Sequence, residues 1–452
     1  MILSLIHINT NRSVADKIRL CFWAYLLLLI FEGAMRKWFL PQLSNLFLVI
    51  RDPIVLYVVF LSFKYGLLKD NIVKALFIFS FISFVLTLTF GHHNIMVALY
   101  GVRITLLHLP CIFVFSKCLT RDDIHLIGKT ILYLSVLMFI IVIMQYFSPK
   151  TALINVGVGG QGTASFSGIA GFMRPSGTFS FISGLVDFEF LVGLFIFYYL
   201  YNNNNIISKY KISKLTLVLF ITIFVFSIVL CLSRTIIFQI SLMFTSMVAY
   251  IIFNRAKLDK ILYIVLLIIL SIYLLLTIDS FKLAFENVFI RFGEASRSEG
   301  EVIEGTLGNR YLGSFYRAFF ETQNFSNKEI PFWGFGLGIG TKVGETILGI
   351  TPVERSFAFA EEEWSRIVCE LGLLQGAAFL LGFRLVYPIC LVIKALKYVM
   401  MRRDVFLYLS VFPFLLYIIN SQWTVPTTLG FTVVISTLFM TALNQNERYN
   451  KF

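Results

Sequence analysis

Four arginines stand where charge is costly, inside or directly beside long apolar stretches of the sequence. Arg51 and Arg103 interrupt such stretches, Arg174 lies in a glycine-rich segment, and Arg234 separates two apolar runs. Charged residues within membrane-like segments are rare and are functional candidates by default. A guanidinium group forms bidentate, charge-assisted hydrogen bonds to phosphate oxygens and stays protonated in a partly apolar site. The pattern therefore predicts a site for a diphosphate group.

A structural role is the alternative for the charges that lie within the apolar stretches. The carboxylates of Asp52, Asp187 or Glu189 could neutralise the first two arginines, because buried charges are normally paired. The other two arginines fit this alternative less well, since glycine or serine flanks each of them in a turn rather than in a helix interior.

The elements that carry these charges are predicted to be membrane spans. Of 452 residues, 58% are hydrophobic and only 14% are charged, whereas soluble domains have about 25% charged residues. This composition excludes a soluble enzyme, a disordered chain and a nucleic-acid-binding module. The net charge of +13 is explained better by basic residues that gather in cytoplasmic loops.

The apolar stretches predict an all-α integral membrane protein. A helix needs about 20 apolar residues to cross the hydrocarbon core, and about twelve stretches of the sequence approach that length. They lie near 18–35, 46–63, 72–90, 95–117, 129–147, 181–201, 215–232, 235–253, 261–278, 369–393, 405–421 and 425–443.

The distribution of basic residues predicts the orientation of these spans. With the N-terminus placed in the cytoplasm, every loop on that side carries Lys or Arg, whereas the outer turns at 91–94 and 420–428 carry none. Basic residues of short loops stay on the cytoplasmic side. The sequence thus predicts two cytoplasmic termini, and it places the four arginines near the outer interface of the membrane.

Long outer segments divide the chain into three parts. Residues 1–278 contain the first nine predicted spans and a glycine-rich outer loop at 148–180. Residues 279–363 form one large extracytoplasmic loop, whose aromatic content predicts a folded cap, and residues 364–452 contain the last three spans.

Several short motifs follow one another between residues 170 and 385. No single motif is specific enough to identify a function. The glycines at 334–340 lack the preceding strand and the following Lys-Ser/Thr of a nucleotide-binding loop. The motifs are MRPSGTF at 173–179, LSRT at 232–235, NRY at 309–311, PFWGFGLGIGT at 331–341, EEEWSR at 361–366 and ELGLL at 370–374.

In this order, and with a large outer loop before the tenth span, the motifs resemble the O-antigen ligase and polysaccharide polymerase family. The N-terminal third, with FEGAMRKWFL at 31–40 and RDP at 51–53, is similar to the exopolysaccharide branch of that family. The resemblance implies an all-helical glycosyltransferase of the C class in the bacterial inner membrane.

The resemblance also implies a reaction and its partners. Such enzymes take a glycan from undecaprenyl diphosphate at the outer face of the membrane and attach it to a growing glycan or to lipid A core. Arg174, Arg234 and Arg310 match the arginines that hold the diphosphate in the family. The expected partners are the undecaprenyl-diphosphate-linked oligosaccharide, an acceptor glycan, membrane lipid and a chain-length regulator, without nucleic acid.

The general base is predicted at a place where this sequence departs from the family. The ligases carry a histidine late in the large outer loop, whereas this chain has glutamates at 361–363. A nearby carboxylate can accept the proton of a sugar hydroxyl, so Glu361 or Glu363 is the predicted catalytic residue. The alternative is an acidic loop end that helps to start a helix.

No metal or other cofactor is expected. The first outer loop, at 37–42, lacks the acidic pair with which many C-class enzymes bind a cation, and cationic side chains can stabilise a departing diphosphate instead. The sequence leaves four functions open: a polymerase, a ligase, a transporter or flippase of lipid-linked oligosaccharide, and a non-catalytic assembly partner. Transporters usually show two similar halves and charges near the membrane midplane, and neither is evident here.

Overall fold

A computed structural model describes residues 13–160, 173–253, 259–299, 313–321, 329–349 and 363–449. These residues form helices and connecting turns, with no strand among them. The helices are α1 (Val14–Ala34), α2 (Ser44–Phe47), α3 (Asp52–Lys64), α4 (Asn71–Thr89), α5 (Ile95–Val102), α6 (Leu109–Cys118), α7 (Arg121–Phe147), α8 (Ile182–Asn202), α9 (Lys214–Leu230), α10 (Arg234–Phe253), α11 (Asp259–Leu276), α12 (Asp279–Glu299), α13 (Gly313–Tyr316), α14 (Lys342–Leu348), α15 (Glu363–Ala377), α16 (Tyr387–Arg402), α17 (Val405–Asn420) and α18 (Pro426–Tyr449).

The described part of the chain has the helices of a multi-pass membrane protein. Ten helical stretches in it are long and apolar enough to cross a membrane, which confirms the predicted helical, integral membrane class. Two further predicted spans, 261–278 and 405–421, coincide with α11 and α17. With 16 residues, α17 is about 24 Å long at 1.5 Å per residue, which is shorter than a hydrocarbon core of about 30 Å.

Helix α8 lies at the centre of the bundle. Nearly all of its apolar residues are buried, and it contacts α7, α9, α10, α17 and α18. In contrast, α4 and α16 leave large apolar side chains exposed, among them Phe81 and Met400. Apolar side chains on the outside of a helical bundle are expected where the surrounding solvent is lipid.

Several of the long helices are interrupted, and charged residues lie at the interruptions. Turns of π-helix follow α1 at Met35–Phe39, α5 at Arg103–Leu107 and α15 at Ala378–Val386. Within α15, Gly372 has the left-handed φ of 74° and breaks the helix. Such π-helical turns often occur at functional sites.

One end of the bundle gathers the glycine-rich turns, and we call it the glycine-rich end. There the Arg36 Nη1 group donates to Ser180 Oγ at 3.0 Å, which joins α1 to the turn before α8. The His92 backbone N–H donates to Phe335 O at 3.1 Å, which joins the α4–α5 turn to residues 331–341.

The opposite end gathers basic residues, and we call it the basic end. Arg121 and Asp404 pair there at 2.8 Å, and Arg448 Nη2 donates to Lys117 O at 3.0 Å. Near the start of α1, Arg19 Nε donates to the carbonyl of residue 118 at 2.8 Å. The start of α1 and the end of α18 therefore lie at the same end of the bundle. The assignment of that end to the cytoplasm stays a prediction.

Candidate functional site

The backbone that carries Arg174 is held from two sides. Lys37 Nζ, in the π turn after α1, donates to Gly177 O at 2.7 Å. From α7, the Gln145 side-chain oxygen accepts from the Gly177 N–H at 2.8 Å, while its amide nitrogen donates to the Gly177 carbonyl at 3.1 Å. Gly177 itself has φ of 58°, which favours glycine. The turn at residues 173–180 is therefore anchored at Gly177, three residues after Arg174.

The tip between α9 and α10 carries Arg234. Helix α9 ends at Leu230, Leu232 takes the left-handed φ of 47°, and Arg234 is the first residue of α10. A residue with a branched side chain is strained in this region of φ, and strained residues concentrate at functional sites. The strained turn sets the direction in which α10 leaves the tip.

Neither Arg174 nor Arg234 is deeply buried. Both arginines are only half-buried as residues, although Arg174 Nε and Arg234 Nη1 are screened from solvent. Arg174 thus lies in the turn before α8 and Arg234 at the start of α10. Their convergence on one diphosphate stays a prediction.

The third arginine of the predicted set, Arg310, lies outside the described residues, and so does Glu361. The structure therefore describes two of the three arginines that the resemblance assigns to the diphosphate. Their relation to the outer loop at 300–312 stays a prediction.

The glycine-rich segment 331–341 forms hydrogen bonds with backbone groups at the break in α15. The N–H of Phe335 donates to Cys369 O at 2.8 Å, and the N–H of Gly336 donates to Glu370 O at 2.9 Å. These carbonyl groups lose their helical partners because the helix breaks at Gly372, so the segment satisfies them. Backbone N–H groups engaged in this way are not available to phosphate, in agreement with the absence of a nucleotide-binding motif.

The segment packs so closely against α15 that only glycine fits at position 334. A side chain at Gly334 would overlap the backbone nitrogen of Gly372, and Gly334 also has φ of 75°. From the other side, His92 Nε2 donates to Leu337 O at 2.9 Å, while its Nδ1 accepts from the Asn94 N–H at 3.1 Å. Both ring nitrogens of His92 are therefore used to hold the α4–α5 turn against the segment.

Four buried charges of α15 and the following π-helix form what we call the α15 ion cluster: Glu363, Arg366, Glu370 and Arg384. Arg366 Nη2 and Arg384 Nη2 both contact Glu363 Oε1, at 2.7 and 2.8 Å, and Arg366 Nη1 contacts Glu370 Oε2 at 2.6 Å. The other Glu370 oxygen accepts from the Gly340 N–H at 2.9 Å. The cluster is electrically balanced, and it attaches the glycine-rich segment to the broken helix.

Arg384 is not among the site residues predicted from the sequence. Its side chain is completely buried, with the guanidinium 3.6 Å from the ring centroid of Trp423. Its Nη1 also donates to Ser421 O at 3.2 Å. The sequence does contain a signal for Arg384, because a single arginine lies inside the apolar stretch of the predicted span 369–393.

The environment of Glu363 favours a structural role over the predicted catalytic one. Glu363 is only 4% exposed, and both of its carboxylate oxygens accept from guanidinium groups of Arg366 or Arg384. A general base must reach a hydroxyl group of the acceptor. Glu363 could do so only after breaking these bonds.

Arg51 and Arg103 are likewise engaged by protein groups. Arg51 is 2% exposed, and it contacts Glu32 Oε2 at 3.2 Å and donates to Pro426 O at 2.6 Å. Arg103 forms a bidentate pair with Asp52, with Nη2 to Oδ1 at 2.9 Å. These contacts correspond to the structural alternative, and they do not favour phosphate binding by either residue. The partner Glu32 was not anticipated.

A hydrogen-bonded chain joins these two ion pairs inside the membrane-spanning region. Arg51 Nη1 donates to the Tyr25 hydroxyl at 3.3 Å, and Tyr25 donates to His108 Nδ1 at 3.1 Å. His108 Nε2 then donates to Asp52 Oδ1 at 3.1 Å. The chain ties α1, α3 and the turn before α6 together.

The two acids of α8 contact hydroxyl groups rather than arginines. Tyr417 donates to Asp187 Oδ1 at 2.6 Å, Thr428 donates to Asp187 Oδ2 at 3.2 Å, and Ser227 donates to Glu189 Oε1 at 2.6 Å. Neither acid therefore neutralises Arg51 or Arg103, as the sequence had allowed.

Within the described ranges, no group of three or more His, Cys, Asp or Glu side chains could hold a metal ion.

Compared with known proteins, the chain matches no family model, no curated protein and no solved structure.

Proposed function

We propose that this protein is a membrane glycosyltransferase that takes oligosaccharide units from an undecaprenyl-diphosphate donor, as an exopolysaccharide or O-antigen polymerase. The observation that carries the proposal is that Arg174 and Arg234 are half-buried and lie at turns between helices, the first in a turn anchored at Gly177 and the second at the start of α10. Both arginines lie in motifs that resemble those of the family, at 173–179 and 232–235.

The chemistry of the proposed site follows from its charges. A glycosyl transfer from a lipid diphosphate leaves negative charge on the departing phosphate oxygens. Preorganised guanidinium groups stabilise that charge in the transition state without needing to reorient. Arg36 and Lys37 donate hydrogen bonds to Ser180 Oγ and Gly177 O, and so help to hold the turn that carries Arg174.

The proposed base is Glu361, with His93 as the second choice. His93 is exposed at the glycine-rich end, and its Nδ1 donates to Leu88 O at 2.9 Å. Its Nε2 therefore presents a lone pair, as a base requires. His93 also has φ of 60°, a strained conformation of the kind found at functional sites.

A ligase of the same family and a transporter of lipid-linked oligosaccharide are the alternatives. One observation favours the transporter. Asp187 and Glu189 lie buried in the central helix α8, where hydroxyl groups donate hydrogen bonds to them, and intramembrane acids often carry protons in transporters. Neutral replacements that block export but not chain extension would select this alternative.

The decisive experiment is reconstitution of the purified protein in liposomes with an undecaprenyl-diphosphate-linked repeat unit. A polymerase converts single units into a ladder of longer lipid-linked glycans, a ligase moves glycan to a second acceptor, and a transporter changes only the leaflet of the donor. Absence of any new glycosidic bond, with donor and acceptor present, would contradict the proposal.

The proposed topology makes a separate prediction. In a Cys390→Ala background, we expect Ile347→Cys to react with a membrane-impermeant maleimide in intact spheroplasts, because α14 lies in the predicted outer loop and Ile347 is 47% exposed. The matched control is Lys209→Cys, an exposed position in a basic, predicted cytoplasmic turn, which should react only after lysis. The reverse labelling pattern would show that the orientation is inverted.

A further inference from the structure

A polar pocket of about 270 Å³ lies at the basic end, remote from the glycine-rich end. It is formed where α7, α17 and the last turns of α8, α16 and α18 meet. Its wall contains three arginines, one aspartate and three amide side chains. The lining residues are Arg121, Asn202, Arg402, Arg403, Asp404, Val405, Gln445 and Asn446.

The aspartate of the pocket is already neutralised. Asp404 accepts from Arg121 Nη1 and Nη2 at 3.0 and 2.8 Å, and from Asn446 Nδ2 at 2.8 Å. It also caps α17 by accepting from the Leu407 N–H at 3.1 Å. Asp404 and Arg121 thus form a fixed, balanced wall. Arg402 and Arg403 add two further positive charges to this wall.

Arg403 occupies a position where glycine would be more favourable. It ends α16 with φ of 55° and ψ of 37°, and its N–H donates to Val399 O at 2.8 Å. Helices commonly end with a left-handed residue of this kind, usually glycine, because a Cβ atom is strained there. Tyr250 holds the conformation by donating to Arg403 O at 2.6 Å.

The left-handed backbone conformation of Arg403 therefore lowers the stability of the fold. Strained residues of this kind concentrate at functional sites. A pocket at the end of a transmembrane bundle lies at the level of the lipid head groups. Basic residues at that level attract anionic lipids, and basic pockets between helices bind phosphate head groups. Arginine suits this task because its fork matches phosphate oxygens.

We propose that this pocket binds the phosphate head group of an acidic membrane lipid, with Arg403 as its principal cation and the amides of Asn202 and Gln445 beside it. The site is independent of the proposed glycosyl transfer. Its ligand chemistry is a phosphate ester, for which a soluble phosphate is the other source.

The test uses Arg403→Gly, which relieves the strain while it removes the charge. Wild type and variant are purified from phosphatidylcholine membranes with and without phosphatidylglycerol, and native mass spectrometry measures the retained phosphatidylglycerol. Loss of one basic contact should weaken retention about fivefold. The thermal stability of the variant in phosphatidylcholine alone should be equal to that of wild type or higher. Lys211→Gly removes an exposed cation of the same end, outside the pocket, and should leave retention unchanged.

Equal retention by wild type and Arg403→Gly would overturn the proposal, as would an equal loss in Lys211→Gly. A parallel arm adds inorganic phosphate to the lipid-free protein. Thermal protection by phosphate that depends on Arg403, without retained phosphatidylglycerol, would assign the pocket to a soluble phosphate and overturn the lipid assignment.

Discussion

Replacing Arg174 by alanine, or separately Arg234, should lower the rate of glycan transfer by about 10²–10³-fold, the loss typical when one preorganised donor to a developing oxyanion is removed. Lysine should restore only a small part of this rate, because an ammonium group cannot form the bidentate fork. The measurement is the initial rate of polymer formation in liposomes at saturating donor. Together the two alanine replacements should cost less than the sum of the single effects, since both act on one diphosphate.

Two controls make this prediction sharp. Arg448→Ala removes an exposed arginine at the basic end and should leave the transfer rate within twofold of wild type, as expected for a surface substitution far from the site. Thermal unfolding in detergent shows whether each variant is folded. Folded Arg174 and Arg234 variants with wild-type rates would contradict the proposed diphosphate site.

The second large effect is expected in the α15 ion cluster. Arg384→Met leaves Glu363 and Glu370 with one guanidinium between them, and breaking a buried pair in this way costs about 3–5 kcal/mol. Adding Glu363→Gln restores the balance of charge, so the double variant should regain a large part of the lost stability. The free energies of unfolding of wild type, both single variants and the double variant give the coupling directly.

The same four proteins also distinguish a structural role of Glu363 from a catalytic one. If Glu363 is structural, the double variant recovers transfer activity per folded molecule together with its stability. If Glu363 is the general base, activity stays low in the folded double variant. Lys394→Met serves as control, because Lys394 pairs with Glu447 at 2.6 Å but is 47% exposed, and exposed pairs contribute only about 0–1 kcal/mol.

The spans were predictable because each depends on a local property, the length of an apolar run. The predicted span 72–90 agrees with α4, and the predicted span 181–201 agrees with α8. The predicted span 405–421 likewise agrees with α17, whose 16 residues lie between the Asp404 cap and Ser421.

The partners of the buried charges were not predictable in the same way. Arg51 contacts Glu32 and the carbonyl of Pro426, two groups that only tertiary packing brings together. The break at Gly372 depends equally on a distant segment, because its free carbonyls are satisfied by residues 335 and 336. Composition and spacing identified the arginines as unusual, but only the fold shows which of them are already engaged.

The order of these elements in the chain has a consequence for how the protein is made. The glycine-rich segment 331–341 precedes α15, so the ribosome delivers it before the helix that it completes. When α15 leaves the translocon, the carbonyls exposed at Gly372 find N–H donors already present on the same nascent chain, and unsatisfied backbone groups in lipid cost several kcal/mol each. Glu363, Arg366, Glu370 and Arg384 enter as one stretch whose charges cancel. We therefore expect biogenesis of the C-terminal helices to depend on correct delivery of the loop before them, so that damage in that loop appears first as failed membrane insertion of α15 and rapid degradation.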